Sequence, residues 1–227
     1  YGDLANSGTA ATFSITSPMN FMGTGTQTIS GSGATSFLGT TTITNTTNTL
    51  AIVTSAPINF NGAVTAHGNL KIISGLMSGG GTWIYDAGRT LTFGNISSYP
   101  ATTANNVAKW WPIANGPANI TMNGAGGITM NVPRTITGNL DLSLGVITTS
   151  SVLTLNPTVP GIGYTGGSNN SYIDGKLEKV GNYAPFTFPI GKVINGATAM
   201  VQLDLILFNN STSTDSYTAE YKRGSAY

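Results

Sequence analysis

The sequence contains no cysteine and a single histidine, and only 7% of its 227 residues are charged. The missing thiols exclude disulfides, thiol catalysis and cysteine-ligated zinc, and one imidazole cannot form a histidine-rich metal site. Nine basic residues balance eight acidic ones, so the net charge of +1 offers no basic surface for a nucleic-acid backbone. The same scarcity of charge argues against salt-bridged helices and coiled coils.

Long apolar runs and helical periodicity are missing as well. No apolar run approaches the ~20 residues that span a membrane, and apolar side chains do not recur at intervals of three and four. We therefore expect neither membrane insertion nor a helical domain. The chain begins at Tyr1 without a signal peptide and ends at Tyr227, soon after the alternating run 217–222. These ends lead us to expect a piece of a longer polypeptide, truncated at the C-terminus.

The sequence is rich in glycine, with 30 residues, and in short segments that alternate between apolar and polar side chains. Such alternation is typical of strands with one buried face. Many very short strands separated by Gly and Asn favour a sandwich, a propeller or a β-solenoid. The alternating segments are Ile58–Phe60, Leu70–Ile72, Leu91–Phe93, Ile120–Met122, Ile128–Met130, Leu140–Leu142 and Leu153–Leu155.

An internal repeat favours the solenoid among these folds. Gly68–Met77 aligns without gaps on Gly138–Ile147, with the shared pattern G-N-L-x-[I/L]-x-x-G-[L/V]-[M/I]. In a solenoid, the inward aliphatic side chains of one coil stack on their equivalents in the next. We expect Gly and Asn at the corners, because both tolerate a positive φ. The two copies begin 70 residues apart, at positions 68 and 138, which predicts several coils between them.

The predicted fold is all-β, with a right-handed parallel β-helix over residues 1–160 and a small antiparallel β-sandwich over residues 161–227. The sandwich is expected to cover the end of the stack, since an open end exposes strand edges and core. Its longer alternating segments favour antiparallel pairing. The proline-rich stretch near 99–117 lacks alternation and is predicted to be a loop inserted in one coil.

Four segments carry a family resemblance. They are N-I-T-M-N-G-A-G-G-I-T-M from Asn119, T-G-N-L-D-L-S-L-G-V-I-T-T from Thr137, S-Y-I-D-G-K-L-E-K-V-G from Ser171 and F-T-F-P-I-G-K from Phe186. In this order they resemble the repetitive β-helix regions of secreted Bacteroidetes surface proteins and adhesins, which precede a small β-domain. The resemblance implies an extracellular or cell-surface location and export by type IX secretion. It brings no catalytic residues to this chain, and the sorting domain typical of such cargo is not recognisable here.

Four aromatic residues are the candidate ligand-binding residues. Trp110 and Trp111 lie in the proline-bounded loop, and Trp83 and Tyr85 alternate on one face of a strand. Their ring faces are suited to stacking on sugars, although packing inside a coil is the alternative role for each of them. The predicted partner is therefore a polysaccharide or another cell-surface component.

The acidic residues form no evident catalytic pair. Asp86 lies in a turn-like segment, and Asp141 is expected to face outward as a solvated pair with Lys71 of the other repeat copy. His67 precedes a corner, with no Ser/Asp constellation recognisable around it. We predict no catalytic residue, no cofactor and no metal site, and a chain that is not an enzyme.

The leading hypothesis is a non-enzymatic structural or adhesive segment, which acts as a rigid spacer and a multivalent polar binding surface. A carbohydrate-binding or carbohydrate-active β-helix is the alternative. An ice-binding solenoid is a third hypothesis, because Thr24–Thr28 and Thr40–Thr44 contain Thr-x-Thr spacing. The strand propensity of Thr explains the same pattern without an ice surface. End-to-end self-association into an extracellular fibre is a fourth hypothesis.

Overall fold

A computed structural model describes residues 2–8, 12–44, 46–74, 77–94, 110–158, 163–181, 185–194, 197–205 and 215–222. It confirms the predicted all-β fold, a parallel β-solenoid of about seven turns. The early turns have three faces, and each turn contributes one strand to each face.

The first face is an eight-stranded parallel sheet that runs the length of the stack. Every pairing in this sheet is parallel, as expected when each strand is one turn further along the chain. Its strands, in spatial order, are β1 (Leu4–Ala5), β4 (Thr26–Gly31), β7 (Thr49–Thr54), β10 (Asn69–Ser74), β13 (Thr90–Phe93), β14 (Asn119–Asn123), β17 (Leu140–Leu144) and β19 (Tyr164–Gly166).

The second and third faces are parallel sheets of four strands each, built by the first four turns. The second face contains β2 (Phe13–Ile15), β5 (Thr35–Phe37), β8 (Ile58–Phe60) and β11 (Met77–Ser78). The third face contains β3 (Met19–Phe21), β6 (Thr41–Ile43), β9 (Val64–Ala66) and β12 (Trp83–Tyr85).

The later turns form a seven-stranded sheet, here called the C-terminal sheet. Its long strand β18 pairs with both β15 and β16, so one strand spans two faces of the preceding turn. The members are β15 (Ile128–Met130), β16 (Arg134–Ile136), β18 (Ile147–Leu155), β20 (Ile173–Val180), β21 (Phe186–Ile194), β22 (Ala197–Leu205) and β23 (Ser216–Ala219).

The core is a set of columns of inward side chains that follow the stack axis. One column contains Ile29, Ile52, Ile72, Phe93, Met122 and Leu142, paired in register at sequence separations of 23, 20, 21, 29 and 20 residues. Burial of each such side chain contributes about 1.5–3 kcal/mol. This contribution explains how strands of only three residues are stable, since each contacts equivalent side chains above and below.

The two repeat copies lie three strands apart in the first face. Leu70 pairs with Leu91, Leu91 with Ile120, and Ile120 with Leu140. The 70-residue offset therefore holds three turns, which confirms that several coils separate the copies.

The corner asparagines have a role other than the predicted one. Among the described non-glycine residues only Asn115 has a positive φ, of 56°. Asn119 instead bridges turns: its Oδ1 accepts a bond from the Asn139 backbone N–H at 2.8 Å, and its Nδ2 donates to the Gly88 carbonyl at 3.0 Å. A β-carbon at Gly138 would collide with this amide oxygen, so Gly138 provides room for the amide.

Replacement of Asn119 by alanine is expected to lower the free energy of unfolding by about 1–3 kcal/mol, because the Asn139 N–H loses its acceptor. Asn119→Asp keeps an acceptor for the Asn139 N–H, so its free energy of unfolding should lie between those of the wild type and Asn119→Ala. Asn123→Ala, at the exposed end of the same strand, is the matched control and should change stability by less than about 0.5 kcal/mol. Denaturant titration measures all three; equal losses for Asn119→Ala and Asn123→Ala would contradict the bridging role.

The predicted antiparallel sandwich is not confirmed. Strands β19 and β20 pair in parallel with β17 and β18, so the stack continues past residue 160. Strand β21 adds to β20 in parallel at Ile173 and Ile190, while β22 and β23 pair antiparallel with β21 and β20. Strand β19 extends the first face, whereas β20 to β23 extend the C-terminal sheet, in which β22 and β23 pair antiparallel. Residues 99–109 of the predicted loop lie outside the described residues.

Candidate functional site

The outer surface of the first face is the longest uninterrupted surface of the stack, and we call it the polar face. Eight strands at about 4.8 Å spacing extend over about 34 Å. Its outward-pointing side chains form a middle column that is mostly neutral and hydroxyl-bearing, although one member, Ala51, exposes only 2% of its surface. The members in register are Thr28, Ala51, Lys71, Thr92, Thr121, Asp141 and Thr165.

A second column of the polar face lies at the corner where each strand begins. It contains three threonine hydroxyls and three asparagine amides, and hydrogen bonds to the next turn hold these amides in a fixed geometry. For example, Asn69 Oδ1 accepts a bond from the Thr90 N–H at 2.9 Å. The members are Thr26, Thr49, Asn69, Thr90, Asn119 and Asn139.

The Thr-x-Thr pairs do not recur on every strand of this face. They are present on β4, as Thr26 and Thr28, and on β13, as Thr90 and Thr92. The run 40–44 lies on the third face instead, and its Thr41 points into the core, where its hydroxyl has no hydrogen-bond partner among the described residues. A lattice of paired hydroxyls is therefore incomplete, since Lys71 and Asp141 interrupt it.

Lys71 and Asp141 do not form the predicted pair. They occupy the same column three strands apart, about 14 Å at the usual strand spacing. Asp141 instead accepts a bond from the Ser143 hydroxyl at 2.7 Å. The repeat therefore places the two charges on equivalent positions of different turns, too far apart for an ion pair.

The four candidate aromatic residues all lie in the core. Trp83, Tyr85, Trp110 and Trp111 expose 4%, 5%, 1% and 0% of their surface. This burial corrects the hypothesis that their ring faces stack on a sugar, and it agrees with the packing role. The Tyr85 hydroxyl donates to the Trp110 carbonyl at 2.6 Å, and burial raises the pKa of this phenol. Trp111 packs 6.4 Å from the Phe93 ring, so both tryptophans fill the interior next to β13.

His67 and Asp86 form a contact that the sequence did not indicate. His67 Nδ1 lies 2.8 Å from Asp86 Oδ2, at the ends of β9 and β12. Because β9 and β12 are register partners, residues that follow them are neighbours, although 19 positions separate them in sequence. The pair had no local signal; only the strand register reveals it.

Two cations, Arg134 and Lys179, are buried in the C-terminal sheet. Arg134 donates through Nε to the Trp111 carbonyl and through Nη1 to the Pro133 carbonyl. Lys179 Nζ donates to the Val180 carbonyl at 2.6 Å and lies 5.8 Å from the centre of the Phe186 ring. Burial lowers the pKa of both groups. Both side chains are part of the buried interior of the C-terminal sheet. Arg134, for example, pairs in register with the inward Leu153.

The described ranges contain no group of three His, Cys, Asp or Glu residues able to hold a metal ion. Nor does the part of the chain covered by the structure include a helix long and apolar enough to cross a bilayer. Comparison with protein-family models gives no match, and neither characterised proteins nor solved structures are similar enough to match the chain.

Proposed function

We propose that the chain is a rigid, non-enzymatic segment of a secreted or cell-surface bacterial protein, and that its polar face adheres to polysaccharide. The observation that carries this proposal is the uninterrupted eight-stranded face with its columns of Thr and Asn. A β-solenoid suits a structural repeat protein, because each turn packs only on its neighbours and the stack is stiff along its axis.

The chemistry of the polar face supports adhesion by many weak contacts. Hydroxyls and amides are repeated at every strand spacing, so a long polymer can form hydrogen bonds with several turns at once. Repetition then multiplies a weak affinity per turn into a strong affinity overall. Since few of these groups are charged, salt should weaken the binding little.

The distribution of carboxylates supports a non-enzymatic role. On the polar face Asp3 lies beside Thr28. The Thr28 backbone N–H donates a hydrogen bond to the Asp3 carboxylate at 2.8 Å. Asp141 lies on β17, six strands further along that sheet and about 29 Å away. Such a separation is too large for the paired carboxylates of a glycosidase.

Depletion by insoluble polysaccharides tests the proposal. The protein is mixed with suspensions of cellulose, chitin and insoluble xylan, and the fraction remaining in solution is measured together with released reducing ends. We expect retention on at least one polymer without release of sugar. The variant Thr92→Lys/Thr121→Lys, which changes two register-paired positions of the polar face, should weaken retention by at least about tenfold.

The matched control is Thr42→Lys/Thr65→Lys, which places the same two charges on register-paired positions of the third face. It should retain the wild-type affinity. Equal weakening by both variants, or no retention of the wild type on any polymer, would overturn adhesion through the polar face; release of reducing ends would overturn the non-enzymatic role.

A further inference from the structure

A cleft separate from the middle column of the polar face lies at the corner where the chain leaves β12 or β16 and enters the first face. Its volume is about 390 Å³, within the range of small-molecule sites. Corner residues of successive turns form its walls, so the cleft runs along the stack axis. The residues that line it include Asp86, Gly88, Asn115, Asn119, Thr137 and Thr158.

The floor of this corner cleft is preformed. Asn119 uses both ends of its amide to bridge neighbouring turns, through the Asn139 N–H and the Gly88 carbonyl. Gly138 lies against that amide, where a β-carbon would collide with the amide oxygen, and Gly116 is a second small residue of the lining. A rigid cleft binds its ligand with little loss of conformational entropy, because few groups must be ordered.

The walls carry polar groups that the fold does not use. Asp86 Oδ2 is held by His67 Nδ1 at 2.8 Å, whereas Asp86 Oδ1 accepts no bond from a described residue. The Asn115 amide and the Thr137 hydroxyl likewise have no side-chain hydrogen bond within the described ranges. One carboxylate oxygen, one amide and one hydroxyl thus converge on the cleft with donors and acceptors available.

The charge of the lining selects the ligand class. The lining has one carboxylate and no Lys, Arg or His side chain, which disfavours phosphates and other anions. The groups present complement hydroxyls, which donate to the carboxylate and accept from the amide. The geometry points to a neutral oligosaccharide as the ligand of the corner cleft, bound through Asp86, Asn115 and Thr137. The cleft shares Asn119 with the second column of the polar face, but Asp86, Asn115 and Thr137 lie outside both columns, so the site goes beyond the proposed function.

Titration with soluble oligosaccharides tests this assignment. Cellotetraose, mannotetraose and xylotetraose are the neutral probes, and tetragalacturonate is the anionic comparison. Binding is followed by calorimetry and by the amide NMR signals of the cleft residues. We expect saturable binding of at least one neutral probe with a dissociation constant of about 1 mM or below, and weaker binding of the anion.

Two variants locate the site. Thr158→Trp fills the cleft from an exposed position and should weaken binding at least tenfold, and Asp86→Asn should weaken it about tenfold by removing a charge-assisted bond. Thr135→Trp, on the exposed side of β16 outside the cleft, is the control and should bind as the wild type does. Circular dichroism and NMR spectra establish that each variant is folded.

The assignment is overturned if no neutral probe binds up to about 10 mM, a concentration tenfold above the expected dissociation constant. It is also overturned if folded Thr158→Trp binds as well as Thr135→Trp, or if the anion binds best. The polar-face variant Thr92→Lys/Thr121→Lys should leave oligosaccharide binding unchanged. Failure of the corner cleft and failure of the polar face are therefore separate results.

Discussion

Replacement of Phe60 by alanine is expected to lower the free energy of unfolding by about 3–5 kcal/mol, the cost of removing a fully buried aromatic ring. Phe60 exposes 1% of its surface. Its ring stacks on that of Phe37 at 4.9 Å with an interplanar angle of 7°, and it meets the Trp83 ring edge-on at 5.1 Å. The truncation therefore leaves a cavity between the Phe37 and Trp83 rings of the two neighbouring turns. These rings cannot close the cavity unless the strands that carry them move.

Phe13→Ala is the matched control for this prediction. Phe13 lies on β2 in the same face, but it belongs to the first turn and exposes 49% of its surface. Its replacement should cost less than about 1 kcal/mol. Guanidinium titration gives the two free energies, and hydrogen exchange shows where protection is lost. The loss should concentrate in β5, β8 and β12, since each turn of a solenoid depends chiefly on its neighbours. Comparable costs for the two variants would refute the role of the stacked rings.

The alternation of apolar and polar residues predicted which side chains of each short strand face inward. Phe60 is an instance, as the last residue of the segment Ile58–Phe60, and Leu70 and Leu140 are others. Alternation could do this because the period of a strand is a local property of the backbone. It says nothing about which turn a side chain meets, so the contact of the Phe37 ring with Phe21 edge-on and with Phe60 by stacking was not foreseen.

The same limit explains the residues of the candidate sites that sequence reasoning missed. His67 and Asp86 meet because β9 and β12 are in register, and the corner cleft exists because corners of different turns align. Register depends on the number of residues in each turn, which varies along this chain. Without it, charges such as Lys71 and Asp141 were expected to meet although they lie three strands apart.

Burial of Trp110, Trp111 and Arg134 shows a second limit. Aromatic residues in a proline-rich segment and an arginine in a strand both suggest exposure when they are considered singly. Their buried polar groups have hydrogen-bond partners distant in sequence. Arg134 donates to the Trp111 carbonyl, and the Tyr85 hydroxyl donates to the Trp110 carbonyl. Buried polar groups are stable only with partners, and partners distant in sequence are not visible to a local pattern.

The C-terminal strands were predicted to pair antiparallel, and β22 and β23 do so. Their length could not show that they would join the edge of the existing sheet rather than form a second layer. Pairing on that edge satisfies the backbone groups that an open strand exposes, which is the same need that the predicted sandwich was meant to meet.

Replacement of Gly62 by alanine is expected to lower the free energy of unfolding by about 3 kcal/mol or more, through overpacking against backbone that cannot move aside. Gly39, Gly62 and Gly81 stack at the corner between the second and third faces in consecutive turns. A β-carbon at Gly62 would collide with the Gly39 carbonyl oxygen, and one at Gly81 with the Gly62 carbonyl oxygen.

The close approach at Gly62 follows from hydrogen bonding. The Gly62 N–H donates to the Phe37 carbonyl of the turn below at 3.2 Å, and the Gly81 N–H donates to the Phe60 carbonyl at 2.9 Å. Each corner must therefore lie directly on the previous one, and a methyl group would part the turns on both faces that meet there. The φ of Gly62 lies outside the left-handed region, so the expected cost is steric.

Gly80→Ala separates this steric cost from the general effect of adding a methyl group. Gly80 precedes Gly81 in the same corner, and a β-carbon there would meet no atom within 4 Å. Alanine at this position should leave stability unchanged or raise it by about 0.4–1 kcal/mol, by restricting the unfolded chain. Denaturant midpoints of the two variants decide the matter. If Gly62→Ala were as stable as Gly80→Ala, the turns would not stack through their glycine corners, and the tight spacing on which the polar face depends would need another cause.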